Sequence, residues 1–277
     1  MSPAAARVVR CWVEPALALL AALALTLWWL VADAALVRLT TITGWIIAAL
    51  FAFFLLNIVR EPLLRLAHLP ARAWYRIHAW LGLLAGLLVL IHTGGHLPQG
   101  TVEVVVTLFF LLTFIAGLVG LWISRAIPAR LATIPNPVEP DGIPQQRREI
   151  RQAVEAVVLR HVENTGDDAI AAAYERDLRA YFDAPQRLWL HFVNTTRARR
   201  ELELRLRARQ RRLNEAAQPT FAEIRDFAFT KADLDERTAC HAFHNAWLGV
   251  HLVLSVILVL LLVLHAAISL TWSGGGA

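Results

Sequence analysis

Cysteine is nearly absent from this chain of 277 residues. There are two, Cys11 and Cys240, and no C-x-x-C pair. That argues against a disulfide framework, a zinc ribbon, a cysteine-held iron–sulfur cluster and a c-type haem attachment site. Lysine is scarcer still: of 27 basic residues only Lys231 is not arginine, a bias expected of a GC-rich bacterial genome. No G-x-G-x-x-G fingerprint occurs, and no region alternates strand and helix patterns as a dinucleotide domain must. The net charge of +5 does not point to nucleic acid. The arginines flank apolar runs instead of interleaving with aromatic residues on a compact domain.

What is present is apolar. Hydrophobic residues make up 57%, mean hydropathy is +0.50, and there are ten tryptophans. A composition this apolar belongs to a membrane protein. Five runs are long enough to span about 30 Å of hydrocarbon at ~1.5 Å per residue. They are Pro15–Val37, Leu39–Val59, Ile77–Leu97, Val102–Ile123 and Asn245–Trp272. The small-x-small triplet Ala32-Asp33-Ala34 has the form of a signal-peptide cleavage site. The apolar run before it is long for a signal core, so a retained first helix is expected.

The sequence predicts an all-α protein. Residues 1–124 form four transmembrane helices, 125–243 a helical cytoplasmic insert, and 244–277 the fifth span of the bundle with a short tail. Basic flanks alternate with neutral ones. Arg7 and Arg10 precede the first span, and only Arg38 follows it. Arg60, Arg65, Arg72 and Arg76 lie in the second loop, TGGHLPQGTVE carries no basic residue, Arg125 and Arg130 open the insert, and the tail SGGGA has none. By the positive-inside rule the N-terminus and insert are cytoplasmic and the C-terminus periplasmic. Spans three and five then run parallel, both entering from the cytoplasm. Trp12, Trp45, Trp74, Trp122 and Trp272 fall near expected interfaces, as an aromatic belt would.

Two of these apolar spans carry matched histidines. His78 and His92 are fourteen apart in span three, and His251 and His265 are fourteen apart in span five. Fourteen residues at about 100° each leave a drift of only ~40°, so each pair shares one helix face, about 21 Å apart along the axis. On parallel helices His78 meets His251 and His92 meets His265. Each meeting point offers two imidazoles in an apolar slot, with no Cys, Asp or Glu to complete a tetrahedral zinc site. Haem iron needs two axial ligands on opposite faces of a flat macrocycle, and imidazoles from facing helices supply them.

Several neighbours are candidates for the haem environment. Gly82 and Gly86 follow His78 by one and two turns, and Gly249 precedes His251. Glycine lets a planar ligand approach a backbone, while the same residues also suit small-xxx-small helix packing. His96, Arg76 and Arg125 are placed to contact haem propionates. His96 also fits a solvated interfacial ring, and the two arginines fit plain positive-inside flanking. His244, seven before His251 on nearly the same face, is an alternative inner ligand. His68, His161, His191 and His241 receive no role.

These residues carry a resemblance. Paired histidines with thirteen intervening residues, "HTGGHLPQG" and "AGLVGLWISR" resemble the b-type cytochromes of respiratory membranes and the ferric-reductase-like transmembrane proteins. The likeness covers spans two to five. The stretch "FTKADLDERTACHAFHNAWLGVH" is similar to bacterial membrane cytochromes with a cytosolic insert before the final span. The resemblance implies two haem b groups stacked across the membrane, passing electrons between its faces. Ferric reductases and NADPH oxidases carry flavin and nicotinamide domains after the last helix. Here SGGGA stands in that place. The expected donor or acceptor is therefore a redox protein, such as an iron–sulfur or cytochrome subunit, or a quinone. The competing class is a transporter or sensor that uses the same histidines for proton relay or metal binding.

The insert opens with the proline-rich linker PNPVEPDGIP at residues 135–144. Helical patterns follow over Gln145–Glu163, Asp167–Phe182, Pro185–Ala217 and Thr220–Glu236, the last with a Thr220/Glu223 capping-box pattern. The centre of the third, "RARRELELRLRARQRR", fits a docking surface for an acidic partner. It equally fits a solvated helix laced by pairs such as Glu201–Arg205.

Overall fold

The computed structural model describes residues 3–34, 39–57, 70–135, 137–185 and 188–273. Arg38, Arg60, Arg65, His68 and the GGGA tail lie outside these residues. Every regular element is a helix, and no strand occurs among the described residues. The chain divides into two compact units. One comprises residues 1–121 with 250–277, and the other residues 122–249.

The first unit holds α1 (Pro3–Ala34), α2 (Leu39–Leu55), α3 (Ala71–His92), the start of α4 (Thr101–Leu131) and the end of α10 (Gln218–Ser273). Three helices are long and apolar enough to cross a membrane: α3, α4 and α10. Shorter apolar stretches run over Ala16–Ala32 and Thr40–Leu55. In α3 the buried residues Trp74, Ala85, Leu88 and Ile91 recur at helical spacing, and half-buried His78 and His92 share that face. In α10, Leu258 is fully buried midway between half-buried His251 and His265. Leu252, Val253, Val256, Leu260 and Val263 point outward, an all-apolar surface suited to lipid.

The sequence places the end of the third span at Leu97, but α3 stops at His92. Gly94 and Gly95 adopt φ of +60° and +73°, a left-handed conformation that costs glycine little. Their amides donate to the Ile91 and Leu90 carbonyls at 3.1 and 3.0 Å, which satisfies the helix end. His96 therefore lies beyond the helix, exposed. At the start of α4, Glu103 accepts from the amides of Gln99 and Gly100.

The second unit includes α5 (Ile143–Thr165), α6 (Ala169–Ala173), a π-turn (Tyr174–Leu178), α7 (Arg179–Asp183), α8 (Leu188–Val193) and α9 (Thr195–Gln210). Its core packs Val154, Ile170, Phe182, Leu206, Phe221 and Ile224. Two expectations need correction. The helix expected over Pro185–Ala217 is broken at Asn194, whose side chain caps α9 by accepting from the Arg197 amide at 2.9 Å. Thr220 does not start a helix; α10 begins at Gln218 after a short turn capped by Asn214, and the Thr220 hydroxyl lies 3.0 Å from His161 Nδ1. Within α9, Arg197 reaches Glu201 at 3.0 Å.

Charged groups inside this unit are paired, as burial demands. Lys231, the single lysine, is fully buried with Asp235 at 2.6 Å. It also donates to the Ala184 carbonyl at 2.8 Å and sits 4.1 Å from the Tyr181 ring centre. Arg130 pairs with Glu236 at 2.7 Å and donates to the His191 and Phe192 carbonyls at the end of α8. Arg237 donates to the Ile134 carbonyl at 2.8 Å. Helix α10 runs unbroken through this polar segment into the apolar one, because helix propensity is indifferent to the change from charged to apolar side chains.

Candidate functional site

All four spaced histidines fall in the first unit. The rings of His92 and His265 stand 6.5 Å apart, centre to centre, with planes at 81°. His78 and His251 lie within electrostatic range of one another. Of the two pairs that the spacing suggests, the structure places the rings of His92 and His265 side by side.

Each ring is seated by neighbours that the histidine pattern does not reveal. His92 Nδ1 lies 3.0 Å from Thr43 Oγ1, a fully buried hydroxyl on α2. Thr43 donates its own proton to the Thr40 carbonyl at 3.2 Å, so towards His92 it accepts. His92 therefore carries its proton on Nδ1, and Nε2 keeps its lone pair.

His78 is held differently. Its Nδ1 lies 3.0 Å from the Asn57 amide nitrogen, and its ring packs edge-on against Phe54 at 5.0 Å. The Trp74 indole donates to Asn57 Oδ1 at 2.7 Å. Trp74 is buried, and the sequence reads it as an interface anchor; its ring instead packs 5.3 Å from Phe53.

The glycines also differ from expectation. A Cβ on Gly86 would come within 2.8 Å of the Phe114 ring, so Gly86 serves close packing of α3 on α4. A Cβ on Gly82 or Gly249 would meet nothing within 4 Å. The glycines that face imidazoles are Gly44 and Gly117. A Cβ on Gly44 would stand 3.3 Å from His92 Cε1, and one on Gly117 3.8 Å from His251 Cε1. Arg76 is exposed on the first turns of α3. Arg125, His244 and Gly249 belong to the second unit, where the His244 ring stands 5.8 Å from Trp247.

A pair of trans imidazoles on one metal defines a testable distance. Metal–nitrogen bonds of about 2.0–2.1 Å, with each nitrogen about 1.1 Å from its ring centre, put the centres about 6.3 Å apart. The His92–His265 separation of 6.5 Å matches. Among the described residues no three of His, Cys, Asp and Glu gather as a multidentate metal site would need. The donor set is two imidazoles per site, which suits a metal whose other four ligands come from a macrocycle. The His92–His265 ring spacing suits paired imidazole ligation of such a metal.

Comparison of the chain with protein-family profiles, with curated proteins and with solved structures gave no match.

Proposed function

We propose that the chain is a b-type cytochrome of a bacterial inner membrane that carries electrons across the bilayer, as the electron-transfer subunit of a larger oxidoreductase complex. Five spans hold two haem b groups, and the insert and N-terminus face the cytoplasm. His78 and His251 ligate the inner group, and His92 and His265 the outer one. The observation that carries this reading is the 6.5 Å separation of His92 and His265, with His92 Nδ1 engaged by Thr43.

Haem supplies a one-electron iron couple. The protein's own residues do the rest. Paired neutral imidazoles from α3 and α10 would hold the haem and leave no open position for other ligands. The Thr43 hydroxyl fixes the His92 tautomer and ring direction, as outer partners of ligating histidines do. Leu88, Ile91 and Leu258 keep the surroundings dry, and a dry site limits the reorganisation that accompanies a change in iron charge. Arg76 and His96 are placed to meet propionates at the two faces. The redox partner is an iron–sulfur or cytochrome subunit, or a quinone. Exposed Arg200 and Arg205 on α9, with Arg211 and Arg212 in the turn after it, suit an acidic protein partner.

The test is the purified full-length chain. The proposal expects a coloured, reducible protein with b-type bands, and loss of outer haem in His92→Ala and His265→Ala. A colourless protein overturns it and favours a transporter or sensor whose histidines relay protons or bind another metal.

A further inference from the structure

The two histidine pairs are not equivalent, and the difference lies in Asn57. An amide can present either end to a neighbour, but this one is pinned at both ends by groups with no choice. The Trp74 indole can only donate, and it takes Asn57 Oδ1 at 2.7 Å. The Phe54 carbonyl can only accept, and it takes Asn57 Nδ2 at 3.0 Å. The second N–H of Nδ2 therefore points at His78 Nδ1, 3.0 Å away. His78 Nδ1 accepts that bond, so the neutral ring carries its proton on Nε2. A metal-ligating histidine needs the reverse, with one nitrogen free to ligate while the other donates to an acceptor. His92 has that arrangement with Thr43, whose hydroxyl proton goes to the Thr40 carbonyl.

Resting on the cytochrome reading, we infer that Asn57 and Trp74 are positioning residues that set the order in which the two sites fill. The His92–His265 site is preformed and loads first. The His78–His251 site loads only when the Asn57 amide turns over, gives its carbonyl to a His78 Nδ1–H and surrenders its hydrogen bonds to both Trp74 and the Phe54 carbonyl. Phe54 against His78 and Phe53 against Trp74 keep the rings from swinging aside, so the amide is the part that must move. The inner haem is accordingly the weaker bound of the two.

The experiment varies haem supply to cells producing the full-length chain and measures haem b per purified chain by the pyridine haemochrome assay. Under limited supply the wild type should carry about one haem, and His92→Ala should lose it. Trp74→Phe keeps the ring packing but removes the pin on Oδ1. It should raise affinity at the second site roughly tenfold and bring the count close to two at the same supply. Asn57→Leu removes the amide donor and should act in the same direction. A merely structural Trp74 would lower or leave unchanged the second occupancy in Trp74→Phe, and either result with the first haem retained overturns the inference. So does a wild type that carries both haems at every supply, or a His92→Ala variant that keeps its haem under limitation. A chain colourless even in haem excess fails the cytochrome reading itself, an outcome distinct from the others.

Discussion

Replacing Thr43 with valine isolates one bond at the outer site. Thr43 is fully buried and its hydroxyl lies 3.0 Å from His92 Nδ1. Valine has nearly the same shape, so packing against α3 is retained and the acceptor is lost. As a neutral hydrogen bond the contact contributes about 1 kcal/mol. Outer partners of metal-bound histidines are worth about 10- to 100-fold in affinity. A single neutral hydroxyl acceptor puts the loss at the lower end, about tenfold or ~1.4 kcal/mol. The assay is haem transfer from the purified variant to an excess of a haem-scavenging apoprotein, followed by loss of the b-type absorbance. Faster loss of one haem of two, about tenfold, is the expected result. A rate within about twofold of wild type, or loss of both haems in parallel, would refute the assignment of Thr43 as the partner that orients His92.

Other perturbations probe the remaining structure. Gly44→Val adds carbon where a Cβ already stands 3.3 Å from His92 Cε1; it should displace the ring and cut outer haem content, whereas Gly82→Ala, with nothing within 4 Å, should not. Lys231→Met removes the ammonium from a buried carboxylate and should cost about 3–5 kcal/mol of stability in thermal unfolding, and Lys231→Met with Asp235→Leu should restore most of it. Burial, assisted by Lys231, Arg199 and Arg130 and opposed by Glu236, holds the His191 imidazole below its ordinary range. Its Nδ1 has no hydrogen-bond partner among the described residues. The unfolded chain takes up that proton near pH ~6.5 while the folded insert resists until lower pH, so the stability contributed by the neutral ring is present above about 6.5 and lost as pH falls through the folded value. His191→Leu should flatten the fall in melting temperature between about pH 6.5 and 5.

The helical class and the histidine positions are readable in the chain because both are periodic. His78, Leu81, Ala85, Leu88 and His92 recur at helical spacing, as do His251, Leu258 and His265. What the chain does not display is contact between helices. Thr43 in apolar α2 and Asn57 in the turn after it look like stray polar residues, and only the fold brings them to His92 and His78. A polar residue inside an otherwise apolar run is the one signal that could have found them, since burial demands a partner. Trp74 fits an interface belt by position, yet its indole is spent on Asn57. Gly44 and Gly117 are no different in sequence from Gly82 and Gly249, and only the facing imidazoles separate them. The break at Asn194 is legible afterwards as a cap. Helix-forming residues on both sides, LWLHFV before it and the charged run after it, conceal it.

The geometry of His92 and His265 makes a spectroscopic claim. Two imidazoles at 81° on one ferric iron leave its two lowest-hole orbitals nearly degenerate and give a highly anisotropic low-spin signal, with one large g-value, in low-temperature electron paramagnetic resonance. The purified oxidised chain should show that signal, and His92→Ala and His265→Ala should each abolish it. A haem that is high-spin in the wild type, or that same large-g signal surviving both substitutions, would contradict paired axial imidazoles from His92 and His265.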